Sequence, residues 1–252
     1  MGLILLLPGP DGLGAGEVAG ALRRLGHDVV ILTALALEGS TWEHRIDAAG
    51  VCTRLTPPGR SAISHTEVGA VLNRLSAPSL ARFARSDPRD RDYAAAEWQA
   101  LLMSWLEGLG DRVIGRVDGQ GSRSLHAGLS WWQWAHWCGL DAGGVITIPT
   151  PLVDPVAPQP HRGDLVRFVL VGDRVLHWTG DQWEDSVGRT AAAVRALGVA
   201  GDADLLGVDL CVSPDAMSLV GVDPRPALRD EVAVAVAELL HARARRPVRL
   251  VS

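Results

Sequence analysis

Lysine is absent from the chain, because all 24 basic residues among its 252 are arginine. Apart from the amino terminus, no ammonium group is available for catalysis or ligand binding, and positive charge is carried by planar guanidinium groups. The formal net charge of -5 also leaves no basic excess. Phosphate backbones need such an excess, which argues against nucleic acid as a partner.

Cysteine and long apolar runs are scarce as well. Cys52, Cys138 and Cys211 lie far apart and form no C-x-x-C pair, so neither a disulfide framework nor a zinc site is expected. No apolar run is long enough to cross a bilayer, and the amino-terminal residues lack the pattern of a signal peptide. These features predict a cytoplasmic protein without a membrane partner.

The first residues predict a parallel α/β sheet. Hydrophobic residues make up 47% of the chain, which is enough for a sizeable core. Leu3–Leu7 indicates a buried strand, residues 17–25 an amphipathic helix, and residues 28–33 a second strand. The intervening G-L-G-A-G at Gly12 to Gly16 is similar to a dinucleotide-binding fingerprint. The second strand ends without the ribose-binding acid, so a tight turn before a helix is the simpler interpretation.

The last third of the chain predicts two β-hairpins and a closing helix. The first hairpin joins strands at residues 164–171 and 174–178, the second joins strands at residues 205–212 and 217–223, and the helix covers residues 227–245. A proline-broken stretch at residues 149–160 is the best candidate for a boundary. We therefore predict two domains, residues 1–148 and 149–252.

Four segments carry a family resemblance: the opening α/β region, residues 113–149, residues 163–175 and residues 207–226, of which the last two are the more specific. GDLVRFVLVGDRV at residues 163–175 and the segment from Gly207 to Pro226, which contains LVGVDPRP, resemble the ATP-grasp superfamily, most closely its carboxylate–amine ligase branch. The resemblance implies an α/β fold with an amino-terminal, Rossmann-like pre-ATP-grasp domain. It also implies a shortened ATP-grasp-like α+β domain at the carboxyl end.

The resemblance also suggests site residues. In the family, an acid on one strand and a Glu-x-Asn on the next hold two Mg²⁺ ions that bridge the nucleotide phosphates. Asp209 retains the acid, Gly221 stands at the Glu position without any ligand atom, and Asp223 at the Asn position could still bind metal. Asp209 and Asp223 fit equally well as hairpin and helix-cap residues. Arg167 matches the arginine that meets a phosphate or acyl phosphate, although it could also be an exposed strand residue.

The chain lacks a subdomain that the family uses to hold its nucleotide, and this difference affects the function that we expect. Between Pro149 and Gly163 the family inserts a lysine-bearing subdomain with a glycine-rich lid, and this chain has only about a dozen residues there. We expect an ATP-grasp-like protein with an eroded nucleotide site that binds a small molecule or a protein, or a repurposed enzyme that needs no ATP. The alternative is an active carboxylate–amine ligase that uses ATP and Mg²⁺ through an acyl phosphate.

A tryptophan-rich segment raises the question of oligomeric state. Residues 124–138 are predicted to be helical and carry four of the nine tryptophans, Trp131, Trp132, Trp134 and Trp137. At helical spacing Trp131 and Trp134 share one face and Trp132 lies on another, so two packing surfaces are needed. The second surface would be the carboxyl-terminal domain or another subunit, and we hypothesise a homodimer.

Overall fold

The structure is a computed structural model that describes residues 2–10, 12, 14–48, 50–75, 79–115, 126–140, 163–213 and 216–246. For residues 126–130 it describes the backbone. The elements up to residue 114 are β1 (Leu3–Leu7), α1 (Ala15–Arg24), β2 (Val29–Ile31), α2 (Ala34–Glu38), β3 (Thr41–Asp47), β4 (Gly50–Thr56), β5 (Ile63–Ser64), β6 (Val68–Asn73), α3 (Pro88–Leu109) and β7 (Val113–Ile114). Those that follow are α4 (His126–Trp137), β8 (Asp164–Val171), β9 (Arg174–Trp178), β10 (Trp183–Asp185), α5 (Gly188–Ala200), β11 (Leu205–Val212), β12 (Met217–Asp223) and α6 (Asp230–Ala244).

The elements belong to two compact units. The first comprises Met1–Ser122 together with Ala227–Ser252, and the second comprises Arg123–Pro226. Two elements therefore lie in a different unit from the one that the sequence analysis gave them: α6 belongs to the first unit and α4 to the second. The predicted boundary between residues 148 and 149 lies outside the described residues and stays a prediction.

The first unit is built on a parallel sheet in the order β2-β1-β6-β7. Its central strand β1 is apolar throughout, as expected for a parallel strand that is covered on both faces. Helices α1 and α6 pack against each other, and α6 also contacts β1 and β6. The predicted strand, helix and parallel strand at the start of the chain are thus confirmed.

A second, antiparallel sheet in the first unit was not predicted from the sequence. It has the order β3-β4-β5, and α3 packs against β4. Along β3 and β4 the pairs Trp42 with Leu55 and His44 with Thr53 face the helix. His44 is hydrogen-bonded on both ring nitrogens, to Thr53 Oγ1 at 2.8 Å and to Ser104 Oγ of α3 at 2.9 Å. Polar contacts therefore supplement the apolar packing of α3 on this sheet.

The second unit contains an antiparallel sheet in the order β10-β9-β8-β11-β12. The predicted bounds of β8, β9, β11 and β12 are confirmed residue for residue. One face carries the core, in which α5 and the buried ring of Trp131 pack against apolar side chains of β8 and β11. The opposite face carries the polar residues that the sequence analysis singled out.

The partly buried His65, which contacts Arg112 in the first unit, predicts a pH-dependent stability. Arg112 Nη2 donates to His65 Nε2 at 2.9 Å. Burial lowers the pKa of His65, and the charges of Arg112 and His44 lower that pKa further. Because the folded state then holds fewer protons than the unfolded state, the free energy of unfolding should decrease as pH falls from about 7.5 to about 5.5.

Urea unfolding across this pH range measures the effect. The variant His65→Gln keeps an acceptor for Arg112 but cannot titrate, so its stability should depend less steeply on pH. The exposed His136 of α4 supplies the matched control, and His136→Gln should leave the slope unchanged. Equal slopes for His65→Gln and the wild-type protein would contradict the prediction.

Candidate functional site

The candidate site lies on the polar face of the five-stranded sheet. The strand register brings Arg167 of β8 opposite Asp209 of β11, and Asp209 opposite Gly221 of β12. A bulge follows Asp209, since the next pair joins Leu210 to Leu219 and leaves Val220 as the extra residue. Bulges re-aim side chains, and this one brings Gly221 onto the face that carries Asp209.

Arg167 and Asp209 form a two-point ion pair. Arg167 Nε donates to Asp209 Oδ1 and Arg167 Nη2 donates to Oδ2, both at 2.7 Å. The Arg167 side chain is 55% exposed and that of Asp209 is 26% exposed. The hydrogen bonds to Asp209 raise the pKa of Arg167; burial opposes this rise, and the charges of Asp209 and Asp223 support it. The guanidinium therefore stays charged, and it engages both oxygens of the Asp209 carboxylate.

Gly221 and Asp223 complete this part of the sheet. Gly221 offers only backbone, and a β-carbon at this position would lie 3.7 Å from Asp209 Oδ2. Asp223 Oδ1 accepts a hydrogen bond from the backbone nitrogen of Arg225 at 2.8 Å, which is the geometry of a local turn. The predicted site residues Arg167, Asp209 and Asp223 thus share one face of the sheet.

These residues do not fit the pair of Mg²⁺ ions that the family would hold here. Mg²⁺ needs free carboxylate oxygens in octahedral geometry. Both oxygens of Asp209 are bound to Arg167, Gly221 supplies no ligand atom, and one oxygen of Asp223 is engaged by backbone. Within the described ranges no group of three or more His, Cys, Asp or Glu side chains could hold a metal ion.

Two tryptophans extend the site in a direction that the sequence analysis missed. Extending the β8–β9 register by one residue places Trp178 opposite Arg167, and Trp183 of β10 pairs with Trp178. The two indole rings are 5.4 Å apart between centroids and tilted by 59°. Because the turn at residues 172–173 pairs Val171 with Arg174, counting outward from this turn would have placed Trp178 opposite Arg167 from the sequence alone. We call these residues the cross-strand row: Trp183, Trp178, Arg167, Asp209 and Gly221.

The tryptophan-rich helix contributes to the second unit rather than to this site. Trp131 is buried in the core and stacks edge-on against Trp134 at 5.0 Å, in agreement with a shared face. Trp132 is partly buried against the same core, whereas Trp137 is 67% exposed. The homodimer that would cover such a surface stays a prediction. No helix in the described part of the chain is both long and apolar enough to span a membrane.

The fold is shared with known enzymes. A Chryseobacterium gregarium RiPP-associated ATP-grasp ligase, in complex with ADP and a leader and core peptide, has a TM-score of 0.71 and 14% identity over 100% of both chains. The ATP-grasp ligase PsnB with precursor peptide PsnA2 and AMPPNP has a TM-score of 0.70 and 14% identity, covering 96% of this chain and 98% of its own.

A third similar structure is the macrocyclase MdnC from Microcystis aeruginosa, bound with precursor peptide MdnA. Its TM-score is 0.69 at 14% identity, covering 95% of this chain and 99% of its own. No protein-family model and no curated protein matches the sequence. At this level of identity the likeness concerns architecture, and it agrees with the resemblance that residues 163–175 and 207–226 carry. The chain has the fold of the ATP-grasp ligases.

Proposed function

We propose that this protein is an ATP-grasp-like protein with an eroded nucleotide site that binds a ligand or a peptide partner on the polar face of its second unit. The closed pair between Arg167 and Asp209 is the observation that carries the proposal. A carboxylate that is held at both oxygens by a guanidinium keeps only one lone pair on each oxygen, and its charge is neutralised, so it is a weaker metal ligand than a free carboxylate. Gly221 removes the second carboxylate of the family's set.

A peptide is the preferred kind of macromolecular partner. The similar structures are described as complexes with precursor, leader or core peptides. An ATP-grasp fold that no longer activates a carboxylate could keep a peptide-binding role, because a fold fixes a scaffold and not an activity. We also propose two features of the domain organisation: a shortened subdomain at residues 149–162 with a domain boundary at residue 149, and a Rossmann-like first unit. We further propose that the protein is cytoplasmic, forms a homodimer and has no nucleic-acid partner.

Nucleotide binding provides the first test. Isothermal titration calorimetry with ATP and Mg²⁺ should show a dissociation constant in the millimolar range or weaker, since no lysine is available to neutralise the phosphates. A micromolar dissociation constant that Arg167→Ala abolishes would contradict the proposal. Such a result would support the competing interpretation, an active carboxylate–amine ligase in which arginines have replaced the lysines.

Restoring the metal ligands sharpens this experiment. The double variant Arg167→Gln with Gly221→Glu frees Asp209 and adds a carboxylate beside it. Electron paramagnetic resonance should then detect bound Mn²⁺, used as a probe for Mg²⁺, with an affinity at least about tenfold above that of the wild-type protein. The single variants serve as controls and should gain less. Unchanged Mn²⁺ binding in the double variant would show that the closed pair is not what keeps metal out.

A further inference from the structure

The cross-strand row combines features that no single strand would reveal. On one sheet face it joins two indole rings, a guanidinium, a carboxylate and a glycine in successive strands. Trp178 is 38% exposed, and the Arg167 side chain beside it is more exposed still. The exposed indole of Trp178 and the half-buried indole of Trp183, next to an exposed guanidinium, offer an aromatic surface and hydrogen-bond donors to one ligand.

The guanidinium keeps donors for such a ligand. Arg167 uses Nε and Nη2 to hold Asp209, and within the described residues no hydrogen bond occupies its Nη1. The ion pair fixes the guanidinium plane, so the two N–H groups of Nη1 are held in position before any ligand arrives. Pre-positioned donors reduce the entropy that a ligand must give up on binding.

The charge of the row limits which anion it accepts. Asp209 neutralises Arg167, and Asp223 adds a negative charge close enough to act on Arg167. Together these three side chains carry one net negative charge, so they repel a polyphosphate more strongly than a single carboxylate, whose attachment depends on hydrogen bonds from Nη1. The charge of the row therefore favours a monoanion over a nucleotide.

The spacing of the row sets the distance between ring and anion. Neighbouring strands lie about 4.8 Å apart, so the backbones of Trp178 and Arg167 are about one strand spacing apart, and the guanidinium is directed toward Asp209 on the other side of β8. A ligand that stacks on the indoles would reach Nη1 if its carboxylate lies only a few bonds from its ring. Leu165, which faces the same side two residues before Arg167, adds exposed apolar surface next to this position.

We propose that the cross-strand row binds an aromatic carboxylate, with the ring against Trp178 and Trp183 and the carboxylate on Arg167 Nη1. The proposal rests on the proposed function, because it assigns a ligand to the same sheet face. Two sources offer this chemistry: a free arylalkanoic acid, or the carboxyl terminus of a peptide that ends in an aromatic residue. Cross-strand tryptophan pairs also stabilise hairpins, so the experiment must separate ligand binding from hairpin stability.

Nuclear magnetic resonance of the indole N–H groups tests the proposal on the full chain. The nine tryptophans give a small set of signals that leucine variants assign. Titration with N-acetylphenylalanine should shift the signals of Trp178 and Trp183, whereas N-acetylphenylalaninamide and N-acetylalanine should not shift them. Phenylacetate binding as tightly as N-acetylphenylalanine identifies a free acid as the ligand. Binding of N-acetylphenylalanine alone identifies a peptide carboxyl terminus.

Variants complete the experiment. Trp178→Leu, Trp183→Leu and Arg167→Gln should each weaken binding by about tenfold or more, as expected for loss of a main contact. Trp137→Leu, which removes an exposed tryptophan of the same unit outside the row, should not change it. Arg167→Gln leaves both indoles in place, so it tests the contribution of the guanidinium without removing the tryptophan pair that stabilises the hairpin. Circular dichroism checks folding of each variant.

Three results would overturn the proposal. They are an absence of binding by all probes at millimolar concentration, equal binding of the acid and its amide, and wild-type affinity in Arg167→Gln. This test of the aromatic-acid ligand can fail independently of the proposed function, which is tested by calorimetry with ATP and Mg²⁺. A protein that binds ATP with micromolar affinity could still bind the aromatic acid, and a protein that binds neither would retain the eroded site and lose only the ligand assignment.

Discussion

Alanine in place of Gly14 is expected to destabilise the first unit by about 3 kcal/mol, through overpacking and backbone strain together. Gly14 precedes α1 with φ of 80°, a left-handed conformation that a β-carbon disfavours. A β-carbon at this position would also lie far inside van der Waals contact of the carbonyl oxygen and β-carbon of Leu228. Leu228 is fully buried, so neither partner can move without disturbing the core.

Urea unfolding followed by circular dichroism measures the effect of Gly14→Ala, and a glycine two residues later offers the matched control. Gly16 lies inside α1, and a β-carbon there would meet nothing within 4 Å. Gly16→Ala should therefore be neutral or stabilise by up to about 1 kcal/mol, from helix propensity. Similar unfolding midpoints for the two variants would show that the contact with Leu228 does not constrain the fold.

Loss of Arg243 should cost the first unit about 2 to 4 kcal/mol, because buried acceptors would lose a charged donor. Arg243 lies on α6 and is buried; its Nη1 donates to the backbone carbonyls of Asp111 and Val113, both at 2.8 Å. Arg243→Met keeps much of the side-chain volume and removes only the donors. The free energy of unfolding of this variant isolates the hydrogen bonds from the packing.

A neighbouring arginine controls for a general charge effect. Arg246 follows shortly after α6 and is exposed. Arg246→Ala should change the free energy of unfolding by no more than about 0.5 kcal/mol, as is usual for surface substitutions. If Arg243→Met were as mild as Arg246→Ala, the attachment of α6 to β7 would depend on apolar packing alone.

Four of the five strands of the second unit could be predicted to the residue because the sequence marks both ends of each hairpin, whereas the short strand β10 was not predicted. Glycine and aspartate at residues 172–173 form a turn between two apolar runs. The sequence S-P-D-A at residues 213–216 separates the two runs of the second hairpin. Gly221 and Asp223 lie two residues apart in one strand, so their common face follows from that strand pattern. The direct pairing of Arg167 with Asp209 could not be predicted, because the order β8 beside β11 depends on contacts between segments distant in sequence.

The antiparallel sheet of the first unit shows where sequence patterns are insufficient. In β3 the alternation of Trp42, His44 and Ile46 with charged residues is the signal of a half-covered strand. Its inward face includes histidine, and its partner β4 contributes Thr53, so the apolar period is interrupted on both strands. Histidine fits there because Thr53 and Ser104 satisfy both of its ring nitrogens. Because Ser104 lies on α3, the second of these hydrogen bonds could not be predicted without knowing that α3 packs on this sheet.

The position of α6 determines the order in which the chain can mature during synthesis. Residues 1–122 leave the ribosome before the helix that packs on α1 and contacts β1 and β6 has been translated. All residues of the second unit emerge in between, and domains tend to fold as they emerge. The second unit can therefore fold first, while the apolar strands of the first unit remain uncovered until α6 has been synthesised. Premature termination near residue 226 would release a chain with those strands uncovered, a natural substrate for chaperones and proteases.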